Sequence, residues 1–179
     1  MDQPAAGTGP KNADEEAAAL AAVEQHHAAM LKRLTALTET LVHAVRERDA
    51  VAEHSAHEVL VEWCEDDLVP HALAEEGPLY GRPRTLPEGR LLVDGMLAEH
   101  QVIVALVEEL RGSAGVEAAV AAGSIRNIFA LHLEKENTLL MPLIVATPAL
   151  SLARAVEGLH ELVGEAHVHQ PGTGNGSSV

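Results

Sequence analysis

The feature that most constrains this chain is a duplicated pair of a histidine and a glutamate. Residues 71–79 read HALAEEGPL and residues 132–140 read HLEKENTLL, so both follow the pattern H-x-x-x-E-[E/N]-x-x-L. A histidine and a glutamate four positions apart lie on one face of a helix. One such pair arises easily by chance, whereas two copies with matched flanking residues indicate two helices that present the same side chains to a common point.

Each copy is preceded by a further histidine in the helical segment before it. Residues on antiparallel helices lie at one level when they are equidistant from the turn that joins the helices. The midpoints between successive members of the set His27, His71, His100 and His132 fall at residue 49, between residues 85 and 86, and at residue 116. Each midpoint lies in or next to a predicted turn, so we expect the four histidines to share one layer of the fold.

Composition and chain breaks predict the fold class. Apolar residues make up 47% of the chain but aromatic residues only 2%, and the Ala- and Leu-rich stretches favour helix. Residues 11–69 contain neither glycine nor proline. That stretch is too long for one globular helix, so the polar residues 46–49 are predicted to form a turn. We therefore predict an all-α protein, an up-down-up-down antiparallel four-helix bundle with a short extra C-terminal helix.

The predicted helices cover residues 13–47, 51–77, 88–111, 116–141 and 148–163. Pro70 lies inside the second helix and should kink it. Thr147 followed by Pro148 should cap the start of the last helix. The bundle domain is then expected at 13–164, between tails at 1–12 and 165–179 that are rich in Gly, Pro or Ser and are expected to be disordered.

Six side chains on the core-facing stripes of these helices are the candidate metal ligands: His27, His71, Glu75, His100, His132 and Glu136. On the first helix, His27 lies about 25° from the centre of the apolar face and His26 about 75° from it. His27 is therefore the predicted ligand, and His26 is either an extra ligand or a residue at the boundary of the core.

Three further side chains adjoin this set. Glu76 and Glu99 are either acceptors for imidazole N–H groups or ordinary surface acids. Tyr80 either reaches the site as a proton donor or ligand, or packs within the loop after the second helix, and packing is the favoured alternative.

The ligand types favour a pair of first-row metal ions bridged by carboxylates, which leaves iron, manganese and zinc as candidates. The cations would compensate the charge of the buried glutamates. Two other interpretations remain open. Ferritin-like proteins use Glu-x-x-His pairs, which Glu24–His27 and Glu157–His160 match formally. A metal-free helical adaptor would keep the same residues as satisfied core or solvated groups.

The complete set resembles the hemerythrin-like HHE cation-binding proteins, in the pattern His27, His71-x-x-x-Glu75, His100, His132-x-x-x-Glu136. The resemblance covers residues 20–163, and the segments LLVDGMLAEH (91–100) and HLEKENTLLMP (132–142) look especially like bacterial members. It implies a non-haem di-iron centre (Fe2+/Fe3+) that is bridged by both glutamates and an oxo or hydroxo group. The family's small-molecule partners are dioxygen, peroxide and nitric oxide.

The chain departs from the oxygen-carrying hemerythrins at two positions. The carriers have a second histidine where this chain has Val104, and they use an aspartate one residue further along the fourth helix instead of Glu136. Fewer histidines imply more open metal positions, which favours oxidation chemistry or sensing over reversible oxygen carriage. We expect a protein that reacts with or binds dioxygen or peroxide, with peroxidase-, catalase- or oxidase-like activity as an open question. The alternative is a non-catalytic module that senses or stores oxygen, nitric oxide or iron.

The charge of the chain argues against several other classes. A net charge of −15 disfavours nucleic acid and anionic membrane surfaces. No run of 18 apolar residues exists, and the polar N-terminal segment lacks the pattern of a signal peptide. The single cysteine, Cys64, forms no internal disulfide, which fits a cytoplasmic protein. We expect a monomer or homodimer.

Overall fold

The computed structural model describes residues 11–157, and the regular structure within that range is entirely helical. The α-helices are α1 (Ala13–Glu47), α2 (Ala50–Trp63), α3 (Val69–Glu75), α4 (Pro87–Gly112), α5 (Gly115–Lys135) and α6 (Met141–Ala146). The π-helical segment Cys64–Leu68 joins α2 to α3, and Glu136–Leu140 joins α5 to α6. A 3₁₀ turn, Pro83–Thr85, precedes α4. The prediction of an all-α protein is confirmed.

The turn between α1 and α2 lies in the polar cluster where the sequence predicts it. Arg48 adopts a left-handed conformation (φ 57°), and its backbone N–H bonds to two carbonyls of the last turn of α1. The Asp49 side chain then accepts two backbone N–H groups from the first turn of α2, at 3.1 and 3.0 Å. Two adjacent residues therefore provide hydrogen-bond partners for backbone carbonyls at the end of α1 and for backbone N–H groups at the start of α2.

Both π-helical segments end two residues before a proline, Pro70 in one case and Pro142 in the other. Proline lacks an N–H group and its ring collides with the carbonyl four residues earlier. A π-helical turn widens the helix at that point and is frequent near functional sites. The predicted kink at Pro70 thus takes the form of a widened turn, so that α2 and α3 follow one path from residue 50 to residue 75.

The helices pack so that α1 contacts α2 and α5, and α4 contacts α3 and α5. The apolar side chains between them form two separate clusters. One cluster is built from core residues such as Met30, Leu34, Leu60, Leu68, Ile103, Ile125 and Phe129. The other contains Val23, Leu79, Tyr80, Val93, Met96, Leu140 and Met141 among others. On each helical path the candidate ligands lie between the two clusters, so a polar layer divides the core.

The α4–α5 hairpin is held by two side chains of α2. His57 Nε2 donates to the carbonyl of Leu110 at 2.7 Å, close to the end of α4. Glu53 Oε1 accepts from the backbone N–H of Gly115 at 2.7 Å, at the start of α5. Because Gly115 has a φ of +60°, this turn suits a residue without a side chain. The hairpin fixes how the ligands on α4 and α5 face each other.

The last helical segment begins four residues later than predicted. Thr147 has extended backbone angles and ends α6, and the chain becomes helical only at residue 152. The cap is Ser151, whose hydroxyl accepts from the backbone N–H of Arg154 at 3.3 Å. Thr147 and Pro148 instead form part of the turn between α6 and this segment.

A buried carboxylate attaches this last segment to the start of α1. Glu16 accepts from the Ser151 hydroxyl at 2.5 Å and from the backbone N–H of Leu152 at 2.8 Å. Burial alone would raise the pKa of Glu16, but these hydrogen bonds and the nearby Lys11 outweigh it, so the pKa is lowered. The first turn of α1 therefore stabilises the N-terminus of a segment more than 130 residues away.

Most of the predicted tails lie outside the described residues, apart from Lys11 and Asn12, and so does the predicted last helix beyond residue 157. His160 of the Glu-x-x-His alternative also lies outside that range. In the described part of the chain, none of the helices combines the length and the apolar character that crossing a membrane requires.

Candidate metal centre

The six predicted ligands converge at one level of the fold. Successive helical paths contribute them, α1 (His27), α3 (His71 and Glu75), α4 (His100), and α5 with the π-helical segment that follows it (His132 and Glu136). Five of the six are essentially buried, and the His71 side chain is 12% exposed. Four imidazoles and two carboxylates therefore meet in a layer that is closed to bulk water on most sides.

The imidazoles form two pairs, and Glu75 belongs to both. Ligand atoms of His27, His71 and Glu75 lie within 4.8 Å of one another, and so do those of Glu75, His100 and His132. Glu75 Oε1 is 3.4 Å from His27 Nε2 and 3.3 Å from His71 Nε2. This arrangement has room for two adjacent ions that share one carboxylate.

Glu136 also spans the two pairs. Its Oε2 atom is 3.5 Å from His27 Nε2, and its Oε1 atom is 3.5 Å from His132 Nε2. Each oxygen thus faces a histidine of a different pair. Two carboxylates that both reach across the centre are the arrangement that bridged metal pairs in helical proteins use.

The histidines of the second pair are held by carboxylates. His100 Nδ1 donates to Glu76 Oε1 at 3.0 Å, and His132 Nδ1 donates to Glu99 Oε2 at 3.0 Å. Lys135 in turn forms an ion pair with Glu99. These bonds fix both rings with Nε2 directed into the centre, as partners of metal-binding histidines generally do. The two nitrogens lie 3.1 Å apart.

Asn137 is a site residue that sequence reasoning missed. Its side-chain oxygen accepts from His27 Nδ1 at 2.9 Å, which turns His27 Nε2 toward the glutamates. Asn137 follows Glu136 directly, just as Glu76 follows Glu75 in the first copy of the repeat. The shared position after each glutamate, always an oxygen-bearing side chain, was the signal that would have identified it.

Tyr80 lies in the centre rather than only within its loop. It is 1% exposed, and its hydroxyl donates a short hydrogen bond to Glu136. The same oxygen is 3.0 Å from His132 Nε2 and 3.4 Å from His100 Nε2. The favoured expectation of loop packing is therefore incomplete, because the chain folds back after α3 and brings the hydroxyl into contact with the second histidine pair.

Burial and mutual repulsion give the carboxyl groups of Glu75 and Glu136 different pKa values. Burial raises the pKa of Glu75 well above its usual value, and the negative charge of Glu136 raises it further. Burial opposes the ionisation of Glu136 too, but hydrogen bonding from His132, the charges of His132 and His27, and Tyr80 lower its pKa to about 2. Without cations, Glu136 is therefore the stronger acid of the two and Glu75 the weaker.

Three buried polar atoms in this layer lack a hydrogen-bond partner among the described residues: His71 Nε2, Glu75 Oε2 and Glu136 Oε2. Burial lowers the pKa of His71 to about 3, which leaves the imidazole neutral. Unpaired buried atoms of this kind are costly, and all three are of types that can coordinate a metal ion. A donor set of imidazoles and carboxylates fits divalent metal ions.

His26 lies beside the centre without reaching its interior. It is exposed, and its ring centroid is 5.1 Å from that of His71 and 6.3 Å from that of His27. The phase argument that preferred His27 as the inward residue of α1 agrees with this geometry. His26 occupies the surface next to His71, the most exposed of the six candidate ligands.

Comparison with known proteins agrees with the geometry. A family model described as the hemerythrin HHE cation binding domain matches residues 18–144, which contain all six converging side chains. No match was found among curated proteins or among solved structures. The matched range covers most of the chain and begins within the first turns of α1. The chain therefore belongs to the hemerythrin family of HHE cation-binding domains.

Proposed function

We propose that this protein is a non-haem di-iron protein that reacts with or binds dioxygen or peroxide. The observation that supports the metal pair is the position of the two glutamates. Glu75 adjoins both histidine pairs, and the two oxygens of Glu136 face one pair each. The proposed ligands are His27, His71, Glu75, His100, His132 and Glu136. An oxo or hydroxo bridge would complete the centre.

The proposed architecture is a four-helix bundle with up-down-up-down topology in the range 13–164. Contacts between the helices support the antiparallel order. Lys11 bonds to the carbonyls of Ile144 and Val145, while the later residue His27 bonds to the earlier residue Asn137. The path from α2 to α3 also runs antiparallel to α4. Its earlier part, α2, contacts the end of α4, and the residues that follow α3 contact the middle of α4.

The ligand count supports reactivity rather than a closed structural site. Six protein ligands shared by two ions leave coordination positions for a small molecule. A bound ferrous pair would supply two electrons, one from each ion, and the reduction of peroxide to two waters would consume them together with two protons. Tyr80 holds a proton next to Glu136, and the apolar clusters on both sides of the layer exclude bulk water.

The test is reconstitution of metal-free protein with ferrous iron under anaerobic conditions, followed by metal analysis and rapid mixing with peroxide. We expect two irons per chain and peroxide consumption faster than by the same concentration of free iron. His27→Ala should lose both properties. His54→Ala is the matched control, because the His54 side chain is 74% exposed and, within residues 11–157, pairs only with Glu58.

Two outcomes would contradict the proposal. Wild-type protein that retains no iron would exclude the metal centre. Two bound irons that consume peroxide no faster than free iron, and that form no stable complex with dioxygen, would exclude the proposed reactivity. A stable oxygenated or nitrosyl spectrum without turnover would assign the protein to sensing or storage.

A further inference from the structure

The two histidine pairs differ in the groups that accept hydrogen bonds from their Nδ1 atoms. His100 and His132 each donate their Nδ1 proton to a carboxylate, at 3.0 Å in both cases. His27 donates to the neutral amide oxygen of Asn137, at 2.9 Å. No described residue bonds to His71 Nδ1. One pair is thus backed by two carboxylates and the other by one neutral amide.

This difference changes how strongly each pair binds a cation. A carboxylate that accepts from Nδ1 shifts negative charge onto the ring, which makes Nε2 a stronger ligand. Lys135 offsets part of the charge of Glu99, but it also fixes the carboxylate in place. Glu76 has no cation within ion-pair distance among the described residues. An amide orients a ring equally well and donates no charge.

Access to solvent differs in the same direction. The His71 side chain is 12% exposed, whereas those of His27, His100 and His132 are 1%, 2% and 1% exposed, so the difference lies at His71 alone. Tyr80 also covers the second pair, because its ring stacks on His100 at 5.4 Å and its hydroxyl lies 3.0 Å from His132 Nε2. An ion bound at the first pair therefore lies nearer the surface.

We propose that the two metal positions are inequivalent and fill in order. The position between His100 and His132 binds first and more tightly, whereas the position between His27 and His71 binds second and releases its ion first. Glu76 and Glu99 act as positioning residues that set the affinity of the first-filled position. This inference rests on the proposed metal pair and specifies how that pair is assembled.

The experiment titrates metal-free wild-type protein with Zn²⁺, a redox-inert probe, in competition with a coloured chelator. We expect two binding steps that differ at least about 10-fold in affinity. Nitrogen-15 NMR of the histidine rings assigns each step to its residues. The Nε2 resonances of His100 and His132 should move with the first equivalent, and those of His27 and His71 with the second.

Isosteric variants test the cause of the difference. Glu76→Gln and Glu99→Gln retain an oxygen acceptor but remove its charge, so each should weaken the first step about 10-fold or more. Asn137→Asp adds a charge behind His27 and should strengthen the second step. Glu58→Gln, which removes a charge at a side chain that is 66% exposed, is the matched control and should change neither step.

The outcomes separate this inference from the proposed function. Two indistinguishable steps, or NMR shifts of His27 and His71 with the first equivalent, would overturn the order of filling while leaving the metal pair intact. Variants that bind like wild type would overturn the role of Glu76 and Glu99. Wild-type protein that binds no Zn²⁺ and no iron would overturn both. The NMR measurement on wild type decides the order even where a variant does not fold.

Discussion

At the scale of single residues, two buried hydroxyl groups have opposite surroundings. The Tyr80 hydroxyl donates to Glu136 within the polar layer. Burial and the negative charges of Glu136 and Glu75 raise the pKa of Tyr80, so the hydroxyl keeps its proton in the metal-free protein. The Thr38 hydroxyl is also buried, but it has no hydrogen-bond partner among the described residues. Removal of the Tyr80 hydroxyl should therefore destabilise the protein, whereas removal of the Thr38 hydroxyl should stabilise it.

We predict that Tyr80→Phe lowers the free energy of unfolding of metal-free protein by about 1–3 kcal/mol, because Glu136 loses a charge-assisted hydrogen bond. Thr38→Val should raise it by about 1 kcal/mol, because an unpaired hydroxyl is replaced by a methyl group of similar size. Urea denaturation in the presence of a chelator measures both. Equal effects of the two substitutions would show that the Tyr80 hydroxyl is not bonded in solution.

At the scale of elements, two of the three glycines in helix α4 differ in what surrounds them. A Cβ atom on Gly89 would lie 2.4 Å from the carbonyl oxygen of Pro83 and 3.1 Å from a methyl group of Leu143. A Cβ atom on Gly95 would meet nothing within 4 Å. Gly89 therefore permits the start of α4 to approach the preceding 3₁₀ turn, and Gly95 has no such role.

Gly89→Ala is predicted to lower the free energy of unfolding by about 1–3 kcal/mol through this collision. Gly95→Ala should raise it by about 0.5–1 kcal/mol, because alanine favours the helix interior. Thermal or urea unfolding of both variants provides the measurement. If both substitutions stabilise the protein, the close approach to Pro83 does not constrain the fold.

The attachment of the last helical segment to α1 should depend on pH. The folded-state pKa of Glu16 is lowered, so its contribution to stability is present above the unfolded pKa of about 4.5 and is lost as pH falls through the lowered value. Glu16→Gln should cost about 1–3 kcal/mol at pH 7, because the amide nitrogen cannot accept from Leu152 or Ser151. That cost should shrink below pH 4.5.

Denaturation of wild type and variant at pH 7 and at acidic pH checks this prediction. Glu39→Gln removes the same charge at an exposed position of α1 and should have an effect within about 0.5 kcal/mol at either pH. A Glu16→Gln deficit that stays constant with pH would exclude the ionised carboxylate as its cause.

At the scale of the whole molecule, the polar layer divides the hydrophobic core in two. Its carboxylates and imidazoles are buried, and three of their atoms lack partners among the described residues. Such a layer weakens a helical protein unless cations compensate it. Bound metal should therefore contribute to the stability of the complete fold.

We predict that metal raises the free energy of unfolding by about 2.7 kcal/mol per site when free metal is 100 times the dissociation constant. His71→Ala should lose the gain from the position between His27 and His71 and keep the gain from the position between His100 and His132, because only the first pair loses a ligand. His54→Ala should retain it. Unfolding of each protein with and without Zn²⁺ measures the gain, and an equal gain in all three would place the bound metal elsewhere.

The positions of the helices and most of their turns were predictable from the sequence. Arg48 and Asp49 lie in the polar cluster where a turn was expected, and the breaks before α4 and α5 fall at the glycine- and proline-rich segments. These features depend on local propensity and capping, which neighbouring residues decide. The predicted start of the last segment was wrong. Ser151 caps this segment instead of Thr147, because the folded chain brings Glu16 next to Ser151.

By itself, the sequence determined the residue types of the centre. It also determined the spacing that brings His27, His71, His100 and His132 to one level, because helical periodicity is a property of each single segment. The tertiary structure alone decided that Glu75 is shared, that Asn137 holds His27, and that Tyr80 enters the layer. Those contacts join side chains from different helices, and a distance between helices depends on how the complete core packs.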